Sequence, residues 1–260
     1  MNAVELINNE KLSEARALLI SDIKTDPENF ETRSLLFKVY CFYEEWDKAD
    51  NQLNILLKNK SEYQEQFEFF KMLIKTEKER CECHLNNICP PCLPKKPNYM
   101  SQFEEYRYKV KGKKNDEAVS ILLNIDKERS IKLTYNGLNY NDLKNTDDLI
   151  PFFIEAFIHD KYVWIPFEYI KHIEIAKPET LLDLVWIYSN LILEGGMKIT
   201  CKIPSRYINS GKHEDDLIKM GRKTDWISLN NKLYQGIGQQ VFDIEKNQIR
   251  IFDLGDLTFS

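Results

Sequence analysis

The chain has 260 residues, of which 43% are hydrophobic, with 36 basic and 41 acidic side chains and a formal net charge of -5. A chain of this length can bury a substantial core as one large domain or as two domains of ordinary size. A small acidic excess offers no surface for neutralising phosphates, so nucleic acid is not expected as a partner.

Residues 1–10 carry no recognisable targeting signal. The segment is acidic and lacks a cationic stretch followed by an apolar one. Elsewhere, no run approaches the roughly 18 apolar residues that a membrane-spanning helix needs. We therefore expect a cytoplasmic protein without membrane insertion.

Residues 1–80 show a helical pattern that repeats. Apolar residues recur at 3.6-residue spacing in successive segments, and Pro27 is expected to end the first of them. The pairs that match 34 residues apart are Ala15 and Ala49, Leu19 and Leu53, Leu36 and Phe70, and Tyr40 and Ile74. Because this is the tetratricopeptide period, we predict tetratricopeptide-like helix pairs in this region.

Stacked helix pairs have a concave face that commonly accepts a partner helix or an extended peptide. Arg33, Phe37 and Tyr40 fall on a first helix of such a pair, and we predict that they line the groove. The alternative is that the aromatic residues of this half belong to the core, which burial statistics favour for any one of them.

Residues 81–98 are predicted to form a linker, because four prolines and three asparagines argue against a helix. The segment also holds soft metal ligands, namely Cys81, Cys83, Cys89 and Cys92, with His84 as a substitute. Their spacing is cramped for tetrahedral zinc, whose structural sites usually pair two knuckles across a longer segment. We therefore expect reduced thiols, with no metal and no cofactor, and a metal or redox role for this segment is the alternative.

Residues 99–129 are predicted to add a further helix pair. The segments 99–111 and 116–127 both have helical periodicity, and Gly112 lies at the turn between them. Near Ser130 the period changes from that of helices to that of strands, so we place the domain boundary there.

Residues 130–260 are predicted to form a mainly antiparallel β domain, curved or partly closed, from many short strands separated by turn signals. The predicted strands are 131–135, 153–158, 161–165, 172–176, 191–194, 198–203, 239–244 and 248–254. The fold class is then α+β, with tetratricopeptide-like helices first and the sheet second.

This half carries no recognisable catalytic motif. The segment from His213 to Asp216 is not His-Glu-x-x-His, and its acids are expected to complement the N-terminus of a short helix. Gly236-Ile237-Gly238 precedes a predicted strand rather than a helix, so it is not a phosphate-binding loop. We expect no catalytic residues and no enzymatic activity.

Four aromatic blocks lie between residues 161 and 226. They read K-Y-V-W-I-P-F-E-Y-I, L-L-D-L-V-W, I-P-S-R-Y and G-R-K-T-D-W. Arg206, Arg222 and Trp226 belong to the last two blocks and are candidates for binding a partner by salt bridges or stacking. An arginine in such a position more often ties a loop to its own sheet.

In this order, the four blocks resemble the ImpE family, also called TagJ. The resemblance covers nearly the whole chain and continues into 236–240, where it implies an arginine at the position of Gln240. It implies a non-enzymatic accessory protein of bacterial type VI secretion that associates with the small subunit of the contractile sheath. Family members have also been linked to the sheath-recycling ATPase ClpV.

The alternative is an enzyme or a small-ligand-binding protein whose site lies in the β domain. A deep polar pocket lined together by Arg206, His213 and Asp225 would favour this second class.

Overall fold

The computed structural model describes residues 1–59 and 61–260, and its first half is a series of helices that pack on their neighbours in the chain. They are α1 (Ala3–Asn8), α2 (Leu12–Thr25), α3 (Phe30–Phe42), α4 (Trp46–Asn59), α5 (Gln64–Asn86), α6 (Met100–Lys111) and α7 (Asn115–Glu128). Across the described ranges, none of the helices combines the length and the apolar character needed to cross a bilayer.

The residues that carry the 34-residue repeat lie between these helices. Ala15 and Ala49 are fully buried, and their small side chains let the helices approach closely. The α3 and α5 helices meet through aromatic side chains, since the ring centroids of Phe37 and Phe70 are 5.4 Å apart. Equivalent helices of successive repeats are therefore in direct contact.

Helix α5 is longer than the sequence predicted. It runs to Asn86, so the predicted linker over 81–98 is wrong for residues 81–86. The helix ends at Asn87, whose left-handed conformation (φ 60°) is the one that asparagine accepts in place of glycine at a helix C-terminus. The prolines begin only at Pro90, so no earlier residue of this segment is excluded from a helix.

The second half is dominated by strands. They are β1 (Leu133–Tyr135), β2 (Leu138–Tyr140), β3 (Lys144–Asn145), β4 (Phe153–Ile158), β5 (Lys161–Pro166), β6 (Ile170–Ile175), β7 (Trp186–Leu193), β8 (Lys198–Pro204), β9 (Thr224–Asn230), β10 (Leu233–Gly238), β11 (Val241–Ile244), β12 (Asn247–Arg250) and β13 (Asp256–Phe259). An eight-stranded antiparallel sheet has the order β2-β1-β13-β6-β7-β8-β4-β5. The predicted α+β class, with helices first and a mainly antiparallel sheet second, is confirmed.

Two smaller sheets complete this half. Strands β9 and β10 form a hairpin, and β12, β11 and β3 form a three-stranded sheet in that order. The short helices of this half are α8 (Asp216–Lys219) and α9 (Ile251–Leu254). The predicted strand 248–254 is wrong for its last four residues, because Ile251 and Leu254 are both buried at a spacing that suits one turn of helix rather than a strand.

Both faces of β4 and β5 are buried, and alternate residues enter different cores. Phe153, Phe157 and Trp164 belong to a core shared with the helices. Ile154 and Ile165, on the opposite face, belong to a second core inside the β half. The secondary structure therefore changes near residue 130, whereas the first core is continuous across that point.

The remainder of the cysteine- and proline-rich segment covers the outer edge of β5. Leu93 donates its N–H to the Trp164 carbonyl at 3.0 Å, and Trp164 donates its own N–H to the Pro91 carbonyl at 3.0 Å. Since prolines lack an N–H, this loop caps the sheet edge and offers little to a further strand.

Candidate functional site

The first aromatic block contacts a buried carboxylate, that of Glu155 in the centre of β4. Arg80 of α5 donates two hydrogen bonds of 2.7 Å, from Nε and Nη2, to its two oxygens. Tyr162 and Gln240 donate to the same carboxylate at 2.6 Å and 3.1 Å. Glu155 is only 3% exposed, and such a buried charge requires that its oxygens be satisfied. This residue joins the helices to the sheet.

Sequence reasoning missed Glu155, although a signal was present. Its side chain takes an inward position of the alternating strand, between Phe153 and Phe157. A charged residue at such a position indicates a buried ion pair or a functional group.

Tryptophans of two blocks extend the network. Trp164 donates its indole N–H to the Tyr162 hydroxyl at 2.7 Å, and Trp186 donates to Glu77 of α5 at 2.9 Å. The Trp186 ring also stacks on Trp46 of α4, with centroids 5.8 Å apart. Each of these tryptophans thus has both an apolar contact surface and a polar partner.

The charges at this interface stabilise one another. Burial lowers the pKa of Arg80, but the carboxylates of Glu155 and Glu77 outweigh burial and hold that pKa well above its usual range. Burial raises the pKa of Glu77, whereas Arg80, 3.3 Å away, lowers it. The guanidinium is therefore permanently charged and sits between two acids.

Arg206 of the I-P-S-R-Y block ties the sheet half to α3. Its buried guanidinium donates to the carbonyls of Phe42 at 2.8 Å and Cys41 at 3.0 Å, and also to the carbonyl of Lys219. The last carbonyls of a helix lack intrahelical partners and carry partial negative charge, which an arginine satisfies well. The structure corrects the prediction that Arg206 meets a partner, because its side chain is not at the surface.

Arg33, Phe37 and Tyr40, predicted to line a groove, are buried as well. Arg33 donates to the Pro27 carbonyl at 2.6 Å and to the Gln52 side chain at 2.7 Å. These three residues therefore hold the helices together, which corrects their assignment to an exposed binding face.

Tyr207, beside Arg206 in the same block, anchors the β9–β10 hairpin. Its hydroxyl lies 2.9 Å from the Thr146 hydroxyl and accepts the Val241 N–H at 2.9 Å. A Cβ at Gly236 would lie 2.4 Å from the Tyr207 ring, so the hairpin can approach this ring only because position 236 is glycine.

Gln240 stands where the resemblance implies an arginine. Its Nε2 donates to Glu155 at 3.1 Å and to the Pro204 carbonyl at 2.9 Å, while its oxygen accepts from Asn145 at 2.9 Å. The position faces the buried carboxylate, and in this chain Arg80 from the helical half supplies the positive charge.

A small enclosed space lies beside this network. It has a volume of about 20 Å³ and is lined in part by His84, Arg107 and Asp147, with room for about one water molecule. Burial raises the pKa of Asp147 to about 8 and lowers that of His84 to about 4. The cavity is too small for an organic substrate.

The residues that would have favoured an enzyme do not converge on a pocket. Arg206 is buried against α3, whereas Asp225 is exposed on β9. His213 accepts the N–H of Asp215 at 3.0 Å, and Asp215 caps α8 by accepting the Leu217 N–H at 2.8 Å. The acidic segment therefore has a structural role at this helix.

The cysteines are divided between α5 and the loop that follows it. Burial raises the pKa of all four thiols, to about 12 for Cys81 and Cys92, and so disfavours the thiolates that bind metals. Within residues 1–59 and 61–260, no three metal-ligating side chains lie close enough together to hold an ion.

Two predicted partner-binding residues do lie at or near the surface. Arg222 pairs with Glu10 at 3.0 Å, with both side chains partly exposed. Trp226 is half-buried on β9 and donates its indole N–H to Thr146 at 3.2 Å. Both remain predictions as binding residues.

An open groove of about 350 Å³ lies among α1, α2 and α3, and we call it the helical groove. Its lining includes Val4, Leu35, Glu31, Asp22 and Lys38. Val4 is 53% exposed and Leu35 is half-buried, so apolar surface is accessible here. Arg33, Phe37 and Tyr40 are not among its lining residues.

Three known proteins or families are similar to this chain. Residues 137–258 match the family described as ImpE protein. Over its whole length, the chain is 23% identical to the type VI secretion system accessory component TagJ of Pseudomonas aeruginosa and covers 91% of that protein. The crystal structure of protein VPA1032 from Vibrio parahaemolyticus is 22% identical and has the same fold, with a TM-score of 0.87 over 99% of this chain and 97% of that chain.

Proposed function

We propose that this chain, whose resemblance to the ImpE family is confirmed by the two sequence matches, is an accessory component of a type VI secretion system. The observation that carries the proposal is the match to TagJ, which extends over the whole chain rather than over one half. Both the helical half and the sheet half therefore fall within the match to this relative.

The chain acts, in this proposal, by binding rather than by catalysis. The buried carboxylate of Glu155 is occupied by hydrogen bonds from Arg80, Tyr162 and Gln240. A catalytic group needs a substrate within hydrogen-bond reach, and the space beside this network holds about one water molecule.

We further propose that its partner is the small subunit of the contractile sheath, bound as an amphipathic helix in the helical groove. The groove follows α3 over residues 31–38, which is about 12 Å and matches about two turns of a partner helix. Val4 and Leu35 supply apolar contacts, and the charged Asp22, Glu31 and Lys38 supply a polar rim. The ATPase ClpV is the second proposed partner, recruited to the complex.

The test measures binding of purified sheath small subunit to the full-length chain, with Val4→Glu as the groove variant. Leu123→Glu is the matched control, because Leu123 on α7 is also 53% exposed and lies outside the groove. We expect Val4→Glu to weaken binding about tenfold or more and Leu123→Glu to leave it unchanged, with both stabilities within about 0.5 kcal/mol of wild type.

Failure of the wild-type chain to bind the sheath subunit would refute the proposed partner. Binding that both variants retain would refute the helical groove while leaving the partner intact. For ClpV, we expect co-elution with the sheath subunit to increase when the chain is present. No increase would remove the ATPase from the proposal.

A further inference from the structure

A second open groove, of about 440 Å³, separates the β9–β10 hairpin from the three-stranded sheet, and we call it the hairpin groove. Its walls include Trp226 and Tyr234 on the hairpin side, Lys144 and Asp243 on the sheet side, and Asp148 between them. It lies in the other half of the chain from the helical groove and shares no lining residue with it.

Trp226 and Tyr234 are held in place by the hairpin, and both keep accessible surface. In the hairpin register, Trp226 is opposite Gly236 and Tyr234 is opposite Ser228, so both rings project from the same face. Asp148 fixes the Tyr234 backbone, since Asp148 accepts its N–H at 2.7 Å and donates to its carbonyl at 2.9 Å. Tyr234 is nevertheless 41% exposed.

The charges of this groove are unbalanced. Lys144 is directly opposite Asp243 in the ladder, but its ammonium binds Asp126 at 2.7 Å and Asp142 at 3.1 Å instead. Among the residues that the structure describes, neither Asp148 nor Asp243 takes part in a salt bridge. Two carboxylates that form no salt bridge within the described residues therefore face the same groove as two aromatic rings.

We propose that the hairpin groove binds an arginine or lysine side chain presented by an extended segment of a partner protein. A guanidinium or ammonium is attracted to the faces of Trp226 and Tyr234, and the Asp243 carboxylate completes its coordination. The acids repel phosphates, so a nucleic acid does not fit. A bare metal ion would leave the aromatic rings without a role.

This proposal goes beyond the proposed function and does not depend on it, because it needs neither the sheath subunit nor the helical groove. The probe is the peptide acetyl-Gly-Arg-Gly-amide, and its control is the same peptide with citrulline, the neutral isostere of arginine. The readout is the indole N–H signal of Trp226 in NMR spectra of the full chain labelled with ¹⁵N-tryptophan. The Trp226→Phe variant identifies that signal among those of the four tryptophans.

We expect the arginine peptide to shift the Trp226 signal with a Kd of about 1–10 mM and the citrulline peptide to bind at least about fivefold more weakly. Asp243→Asn should weaken the arginine peptide about fivefold, whereas Asp256→Asn, an equal loss of charge on β13, should not. The asparagine retains the oxygen that accepts the Lys246 N–H, so the turn is kept.

Three results would overturn the proposal: no shift of Trp226, equal shifts with both peptides, or equal weakening by Asp243→Asn and Asp256→Asn. Val4→Glu serves as a cross-check, because it should weaken the helical-groove interaction and leave peptide binding unchanged. Failure here would therefore be distinguishable from failure of the sheath partner.

Discussion

Charged side chains have different environments in two regions of the molecule. One region is the interface between the helices and the sheet, and the other is the outer surface. At the interface, Arg80 and Glu155 are both buried and form a bidentate pair with further hydrogen bonds around it. At the surface, Lys75 and Asp160 form a single contact of 3.0 Å between exposed groups. Both pairs join α5 to the β4–β5 region, yet only the first excludes water. We infer that the interface determines stability and that the exposed surfaces are free for recognition.

The largest effect should follow from Glu155→Gln. This change leaves the Arg80 guanidinium buried opposite a neutral amide, which typically costs about 3–5 kcal/mol in the free energy of unfolding. Urea unfolding of the full chain measures that loss. Asp160→Asn, which breaks the exposed pair on the same helix, should leave the unfolding midpoint unchanged. Equal losses in the two variants would contradict the distinction between interface and surface.

A steric change within the β half, where the β9–β10 hairpin packs on Tyr207, should have the next largest effect. Gly236→Ala places a Cβ 2.4 Å from the Tyr207 ring, and overpacking of this kind typically costs about 1–3 kcal/mol. Gly112→Ala is the control, because its Cβ would meet nothing closer than 3.4 Å and its φ is negative. Thermal unfolding that shows no difference between the two variants would mean that the hairpin relaxes away from the ring.

The interface should also make stability depend on pH through Asp147, whose pKa burial raises to about 8. Between about pH 4 and pH 8, this carboxyl is protonated in the folded chain and ionised in the unfolded one. The free energy of unfolding therefore falls as pH rises through this range. The slope is at most about 1.4 kcal/mol per pH unit. His84 has the opposite effect, because its pKa is lowered to about 4 in the folded chain. Its contribution makes the free energy of unfolding rise as pH rises from about 4 to about 6.5.

The informative window is therefore about pH 6.5 to 8, in which Asp147 contributes to the pH dependence of stability and His84 does not. We expect the unfolding free energy of wild type to fall across it and that of Asp147→Asn to fall less. Parallel curves for the two proteins would show that this side chain is ionised in the folded state.

The smallest effect should come from Arg222→Ala, which removes an exposed ion pair with Glu10. Such pairs contribute about 0–1 kcal/mol, and salt screens them. We expect a small loss of stability at low ionic strength that disappears in about 1 M salt. A loss comparable with that of Glu155→Gln would place this arginine in the stabilising interface rather than at the surface.

Local patterns predicted the elements whose formation depends mostly on neighbouring residues. Two runs rich in apolar residues on either side of His159-Asp160 predicted the β4–β5 hairpin, and helical periodicity predicted α6 and α7 around Gly112. The pattern misled where the end of an element depends on distant contacts. Helix α5 continues past Arg80, where the side chains of Arg80 and Glu77 bind Glu155 and Trp186 of the sheet half.

The candidate sites show the same limit. Periodicity placed Arg33, Phe37 and Tyr40 together on one helix, but it does not say which neighbouring element covers each side chain. Gln52 binds Arg33, and Phe70 of α5 packs on Phe37 in the folded chain. The accessible groove is lined by Val4 and Leu35 instead.

The sequence by itself determined the order of helices and strands, because hydrophobic period and turn residues act over a few positions. It also carried the four aromatic blocks on which the resemblance to the ImpE family rests. What those blocks do was decided only by the tertiary structure. Arg206 binds the carbonyl of Phe42, which is 164 positions away along the chain. Glu155 binds Arg80, which is 75 positions away. Burial and hydrogen bonding of such groups depend on which surfaces meet, and spacing along the chain does not encode that.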